Sequence, residues 1–267
     1  MLTVGGVVNF AAVARRFEAK HIQLNQMLAT ETLRLGDESF AFFAGPEAYS
    51  NRITGSGMRP EHLDPAIEFF DERNVETKLE LSSFAPAELI AAVQARRFEL
   101  RFFTHVMAMP ARNVSRLPPP PGVIIERLDR TNLDAVREAA EHNDRCFAPD
   151  RPLSPASVAL TTKHLLNPAN DTFVARADGQ LVGVGCSESS EGVTLVFGGA
   201  VRAEFRGRGI QRALMNVRVA LANERGSELV FVMTGPGTPS ERNACRAGFQ
   251  IVGTRAYFQR PSRLGRE

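Results

Sequence analysis

Hydrophobic and polar positions along this chain follow two periods, and each change of period marks an element. Over 9–35, Phe10, Val13, Phe17, Leu24, Met27 and Leu28 recur at helical spacing until Gly36, which predicts one long amphipathic helix. Residues 40–44 form a short apolar strand ending at the Gly45-Pro46 turn, and 52–58 a second strand carrying Gly55 and Gly57. Pro60 opens a helix to about residue 74, with Leu63, Ile67 and Phe70 facing inward. The alternation over 76–81 is that of an antiparallel strand; 86–95 reads as a helix and 98–109 as a long β-rich segment. The run Pro118-Pro119-Pro120-Pro121-Gly122 is stiff, extended and unable to join a sheet ladder. It predicts a linker, 118–122, between domains at 1–117 and 123–262.

The second half starts with a strand over 123–128. Thr131 or Asn132 caps a helix to about residue 147, and a second helix covers 154–166. A strand over 172–176 turns at Asp178-Gly179 into another over 180–187, because an Asp-Gly pair readily takes positive φ. Glu191-Gly192 turns again into 193–201. A helix over 209–224 stops at Gly226, 229–234 is a buried strand, 240–247 a short helix ended by Gly248, and 249–260 the last strand. The order is β-α-α-β-β-β-α-β-α-β. The first half repeats the last four elements of that order more faintly.

Composition narrows the classes. The 267 residues are 43% hydrophobic and 23% charged, as in an ordinary globular chain, and a net charge of +2 offers no argument for a nucleic-acid partner. Cys146, Cys186 and Cys245 are widely spaced, without a metal or redox pairing, and suit a reducing compartment. Apolar runs fall short of the roughly 20 residues that span a bilayer. The apolar stretch 7–14 lacks a basic start and is interrupted by Asn9, so it reads as the beginning of a helix rather than a signal peptide. A cytoplasmic location is the resulting expectation.

The candidate chemistry lies at the change of period between 193–201 and 210–221. Arg206-Gly207-Arg208-Gly209 joins a β-favouring run to a helix whose inward face is Ile210, Ala213, Leu214, Val217 and Leu221. The first N–H groups of a helix lack partners within it, and its dipole is positive there. Gly207 and Gly209 remove side chains from the backbone, while Arg206, Arg208 and Arg212 add positive charge, a combination suited to a phosphate or pyrophosphate. The turn lacks the Gly-Lys-Ser/Thr ending of a Walker loop and the third glycine of a Rossmann turn. Instead Arg206-x-x-Gly209-x-Gln211 resembles the R/Q-x-x-G-x-G/A signature of the GNAT superfamily of acyl-CoA-dependent N-acyltransferases. Ala200-Val201 and Glu204-Phe205 resemble the family's approach to that loop, and Ser240-Glu241-Arg242-Asn243 with Gly248-Phe249 resembles its closing helix. Gln211 departs from the pattern, standing where Gly or Ala is usual, which predicts a tighter backbone approach there.

The resemblance covers 122–260. It implies an α+β GNAT fold, a mixed, mostly antiparallel sheet flanked by helices. The half preceding it is smaller and also α+β: either a degenerate GNAT-like half, as in tandem GNAT proteins, or an unrelated cap. In it, Gly55-Ser56-Gly57-Met58-Arg59-Pro60 stands where the signature would be. The resemblance further implies acetyl-CoA as co-substrate, with no metal, and direct transfer of the acetyl group to a primary amine of a small molecule or peptide. Arg206, Gly207, Arg208, Gly209, Ile210, Gln211 and Arg212 would hold the pyrophosphate. Ala200 and Val201 would bond the pantetheine amides, and Asn243 the arm or the departing sulfur. The family's tyrosine acid falls at Ala244, so no catalytic residue is assigned, and a catalytically inactive CoA-binding or partner-binding module is the alternative. Weaker candidates each have a structural reading: Ser240 as a helix cap, Cys245 as a core residue, Tyr257 as a packed strand residue. Glu188, Glu191 and Glu204 read as solvated, and His142 and Asp144 as surface. Neither the acceptor nor the oligomeric state is legible.

Overall fold

The computed structural model describes residues 3–4, 7–112 and 114–262. In chain order these form strands β1 (Thr3–Val4) and β2 (Val7–Val8), helix α1 (Phe10–Leu28), β3 (Glu31–Gly36), β4 (Ser39–Phe43), β5 (Arg52–Thr54), α2 (Leu63–Asp71), β6 (Thr77–Ser82), α3 (Ala87–Ala95) and β7 (Glu99–Pro110). There follow β8 (Val123–Arg127), α4 (Leu133–Phe147), α5 (Pro155–Leu166), β9 (Asn170–Ala177), β10 (Gln180–Ser190), β11 (Val193–Val201), α6 (Ile210–Glu224), β12 (Leu229–Thr234), α7 (Pro239–Arg246) and β13 (Gln250–Arg260). Among the described residues, no helix is long and apolar enough to cross a membrane.

The chain divides into two compact units. The N-terminal unit extends through Val106 and takes in Thr234–Pro236 and the chain from Ile251 on; the C-terminal unit comprises Met107–Met233 and Gly237–Gln250. The division therefore does not follow the proline run. Within the N-terminal unit β13 pairs antiparallel with β6, from Arg255↔Ser82 to Arg260↔Thr77.

One predicted helix is in fact a helix and a strand. The run predicted over 9–35 is helical only as far as Leu28, where Asn9 caps the start by accepting from Ala12 N–H at 3.0 Å. After Ala29 the pattern Glu-Thr-Leu-Arg-Leu has period two, and β3 pairs with β4 from Glu31↔Phe43 to Gly36↔Ser39. Period two fits a strand facing a neighbour better than it fits further turns of the helix.

The sheet order in the N-terminal unit is β3-β4-β5-β6-β13. Its apolar core gathers Ile53, Leu63, Phe70, Leu79, Leu89 and Val93. A second, charged core lies beside α1. Glu80 on β6 accepts from Arg52, from Arg255 Nη2 at 2.8 Å and pairs with His21 Nε2 at 2.7 Å; Arg255 also bonds Glu18, and Thr54 Oγ1 at 2.6 Å. Glu18, His21, Glu80 and Arg255 are all buried. Burial drives the Glu80 carboxyl upward, yet Arg52, His21 and Arg255 together hold it well below the usual carboxylate range. Burial lowers the pKa of His21, against the opposing pull of the Glu80 carboxylate beside it.

The sheet order in the C-terminal unit is β7-β12-β11-β10-β9-β8, β7 contributing from Met107 onward. Two-residue turns at Asp178-Gly179 (φ 50° and 75°) and Glu191-Gly192 (φ 51° and 71°) join β9 to β10 and β10 to β11, as their sequence predicts. One face of the sheet packs Val182, Val201 and Phe173 under Ile210, Leu214 and Leu221 of α6; the other packs Val174, Leu181 and Val184 under Val136, Ala139 and Ala140 of α4 and Leu165 of α5. His164 of α5 is buried, its ring stacked on Phe197 at 4.7 Å, and burial lowers its pKa to about 4.

Two outcomes follow from these cores. Glu80→Ala leaves Arg52 without its buried counter-charge and Arg255 with Glu18 alone, and should cost about 3–5 kcal/mol of stability in denaturant unfolding, the usual range for breaking a buried pair from one side. His164 binds its proton more weakly folded than unfolded, so its contribution is present above the unfolded pKa and is lost as pH falls from about 6.5 towards 4. Between neutral pH and about pH 5 the loss should be about 2 kcal/mol. His164→Phe should remove that slope; an unchanged pH dependence of the unfolding midpoint would contradict the assignment.

Candidate functional site

Strand β11 has two neighbours along only part of its length. It pairs with β10 from Ser190↔Val193 to Gly183↔Val201, with a shift of register between Val184 and Cys186. Its parallel pairing with β12 covers Val193↔Leu229 to Val196↔Val232. From Phe197 to Val201 the strand runs on without β12, and Gly198 at φ +58° marks the departure. The two parallel strands thus splay into a V, and Ala200 and Val201 lie on its open edge.

Beyond Val201 a single 3-10 turn, Ala203–Phe205, leads to the arginine-glycine elbow. Gly207 and Gly209 both sit at φ +78°, a conformation that other residues adopt only with strain, and Gly209 is the N-cap of α6. Arg206 N–H bonds Ala203 O at 3.2 Å; among the described residues, the next N–H in the chain with a backbone carbonyl partner is that of Ala213, on Gly209 O at 3.0 Å. The amides of Gly207 to Arg212 therefore stand free at the positive end of a 15-residue helix. Ile210 is buried and anchors this end in the core, whereas Gly207, Arg208, Gly209 and Arg212 are exposed. Arg206 Nε ties back to Val201 O at 3.2 Å, and Arg208 lies over the Phe205 ring at 4.9 Å.

Gln211 is accommodated from below. Its side chain turns inward, and a Cβ on Gly199 would come within 2.9 Å of Gln211 Nε2. The larger residue at 211 is thus matched by a missing side chain on β11. The segment leading into the proline run is held on α6: Arg116 makes a two-pronged ion pair with Glu224 at 2.9 Å, and Asn216 bonds Leu117 N–H at 2.7 Å and Ser115 O at 3.1 Å; Pro120 Cγ would lie 3.5 Å from a Cβ on Gly209. Residues 115–117, which lead into the predicted linker 118–122, thus form a strap along α6.

On α7, Thr238 rather than Ser240 is the cap, accepting from Glu241 N–H at 3.3 Å, and Pro239 follows it as the first residue of the helix. Asn243 is half-buried and accepts from Arg246 Nη1 at 3.3 Å. Ala244 is fully buried against Met109, Val232 and Phe249. Cys245, read as a core residue, is exposed, because it is turned about 100° around the short helix from the buried Ala244. Tyr257 packs as expected, stacked on Phe102 at 4.4 Å within the N-terminal unit, and burial pushes its pKa up to about 12.

Three residues read as surface or solvated are buried. His142 lies beneath the open end of β11, bonded to the Ala200 backbone and 3.6 Å from Cys146 Sγ; burial lowers its pKa. Asp144 accepts from Ser154 N–H at 3.1 Å and fixes the start of α5. Glu188 is interior because β10 runs between β9 and β11 at that point. Glu191 and Glu204 are exposed, as expected.

The residue missed by sequence reasoning is Arg218. It sits on α6 among apolar neighbours and is 1% exposed. Its Nε bonds Leu214 O at 2.8 Å, and its Nη1 bonds Cys186 O at 2.9 Å and Phe197 O at 3.1 Å. A Cβ on Gly185 would come within 2.8 Å of its guanidinium carbon, so Gly185 and Gly199 open the slot it fills. Among the described residues no carboxylate pairs with it, and burial lowers its pKa to about 10. The signal in the sequence is the repeated glycines of both strands on the face below α6.

Residues 136–249 match the family model for the acetyltransferase (GNAT) family. No curated protein matches the chain. Among solved structures, a GCN5-related N-acetyltransferase from Kribbella flavida aligns with a TM-score of 0.71 at 15% identity, covering 94% of this chain and 96% of that one. A GCN5-related N-acetyltransferase from Sphaerobacter thermophilus aligns at 0.63 with 18% identity, covering 85% and 82%. A tandem GNAT protein from the clavulanic acid biosynthesis pathway aligns at 0.58 with 14% identity, covering 83% and 77%. At these identities the alignments speak to the fold, and the family model speaks to the segment that holds both elbow and V. The match to the acetyltransferase (GNAT) family is thus confined to residues 136–249, the segment that runs from α4 to just past the end of α7.

Proposed function

We propose that this chain moves an acetyl group from acetyl-CoA to a primary amine of a small molecule or peptide, by direct transfer while both are bound. The observation that carries the reading is the row of free amides from Gly207 to Arg212 at the start of α6, adjoining the open edge of β11. A diphosphate matches the elbow in charge and hydrogen-bonding sense, and the amides of the pantetheine arm match the peptide groups at Ala200 and Val201. Ile210 anchors the elbow, Arg206, Arg208 and Arg212 supply charge, and the inward turn of Gln211 leaves its own amide available. Asn243 is the candidate contact for the arm or the sulfur. The neutral amine attacks the thioester carbon, the carbon–sulfur bond breaks, CoA leaves as its thiolate and the amine's proton passes to solvent. Peptide N–H groups near Val201 can polarise the carbonyl. Free cysteines at 146, 186 and 245 suit a cytoplasmic setting.

We further propose that the N-terminal unit is a GNAT-like half that has closed its own crevice. Its elbow, Gly55-Ser56-Gly57, is occupied by the β3–β4 turn: Glu38 O accepts from Gly57 N–H at 3.3 Å, the Glu38 carboxylate accepts from Ser56 Oγ, and a Cβ on Gly55 would collide with Glu38 O. The parallel pair β5 and β6 is bridged by the Arg52–Glu80 ion pair.

The alternative is a catalytically inactive CoA-binding module, favoured by Ala244, whose burial leaves no acid at the tyrosine position. Thiol release from acetyl-CoA across a panel of amines separates the two, since the module would bind and never turn over. Isothermal titration should give micromolar-range acetyl-CoA binding with one site per chain; two equivalent sites would contradict the closed N-terminal crevice. Gly209→Val forces a β-branched residue to φ +78°. It should weaken acetyl-CoA binding by about tenfold or more with the fold intact, as strain of about 1–3 kcal/mol displaces the elbow.

A further inference from the structure

Arg218 is a buried cation without a buried anion. Its Nη1 is committed to the carbonyls of Cys186 and Phe197, but Nη2 has no partner, and Gln211 Oε1 nearby is likewise unpaired. Burying an uncompensated guanidinium is costly, and in a folded chain it usually has a counter-charge. Its position suggests when one arrives. Phe197 is the first residue of β11 beyond the last pair with β12, so the guanidinium lies at the closed end of the V. On the acyltransferase reading, on which this inference rests, the diphosphate sits at the mouth, over the elbow, and the arm runs inward past Val201 and Ala200. The thioester then lies at the depth of Phe197 to Gly199.

We propose that Arg218 supplies the positive potential that stabilises the departing CoA thiolate, in a chain whose closing helix carries Ala244 in place of an acid. As the carbon–sulfur bond breaks, the electron pair goes to sulfur and no proton need follow it. A fixed charge in a water-excluded site lowers the energy of that anion at distances where a solvated charge would be screened. Arg218 acts through the strand rather than by contact: it is a positioning and electrostatic residue, holding the two carbonyls that shape the bulge and presenting its charge behind them. Gly185 and Gly199 are what allow it to approach so closely.

The test uses the full chain with CoA itself as probe and needs no acceptor. The ultraviolet absorption of the thiolate is followed against pH for free CoA and for CoA bound to wild type, R218K and R218M. In wild type the bound thiol should hold its proton about tenfold more weakly than free CoA, a typical effect of a nearby opposite charge. R218M should abolish most of that difference and R218K should keep it, while acetyl-CoA, which has no thiol to ionise, should bind all three within about threefold, well under the tenfold that 1.4 kcal/mol represents. A merely structural role would weaken CoA and acetyl-CoA alike. Equal loss of both ligands in R218M, or a bound thiol in wild type that titrates like free CoA, overturns the proposal; the second result requires no variant to fold. If wild type binds acetyl-CoA but fails the thiol titration, only this inference falls. If it binds neither ligand, the acyltransferase reading falls with it.

Discussion

A β-strand that parts from its neighbour is left with peptide groups that need partners, and this constraint organises the C-terminal unit. Beyond Val196, β11 gives up β12 and keeps β10. The bulge at Gly198-Gly199 turns Phe197 O away from the ladder, and Arg218 takes it up together with Cys186 O. Glycines at 185 and 199 make room for that guanidinium, and Ile210 and Leu214 seat the helix that carries it. The same helix starts at the elbow. Its free amides and the free edge of the strand are therefore set by one packing arrangement rather than by two independent loops.

The N-terminal unit meets the same constraint with its own side chains. Its parallel pair β5 and β6 is matched over a single position, Ile53↔Leu79, and the space alongside is crossed by Arg52, Glu80, Arg255 and Thr54. At Gly55-Ser56-Gly57, the Gly57 N–H and the Ser56 hydroxyl donate to the backbone oxygen and the carboxylate of Glu38. Groups left unpaired in one unit are satisfied internally in the other, so similar orders of elements need not carry similar chemistry.

Much of this is legible in the sequence. The two Gly-containing hairpin turns, the period change at residue 209 and the order of elements after the proline run rest on local signals: positive φ, amphipathic spacing and caps. What is illegible has a common cause. Arg218, Glu80, Arg255 and His21 are charged or titratable residues in amphipathic segments, and local pattern assigns such residues to solvent; only partners far along the chain make them interior. Glu188 and His142 mislead for the same reason. The strand at Glu31–Gly36 merges with the preceding helix because Leu33 and Leu35 extend a helical stripe almost as well as they alternate, and its partner strand decides between the two. The strap along α6 is unreadable since Arg116 and Glu224 meet at a separation of 108 positions.

The placement of β13 has a consequence for how the chain is made. Thr254 and Ser83 are joined at a separation of 171 positions, and Arg255 completes a charged cluster whose other members, Glu18, Thr54 and Glu80, leave the ribosome long before it. At ordinary translation rates the first-made unit waits on the order of ten seconds for β13. During synthesis β6 is an unprotected edge, and Glu80 lacks a cation that arrives 175 positions later. The part of the chain translated first is thus among the last to reach its final form, and a ribosome that stalls before β13 releases a product whose damage lies far upstream of the stall.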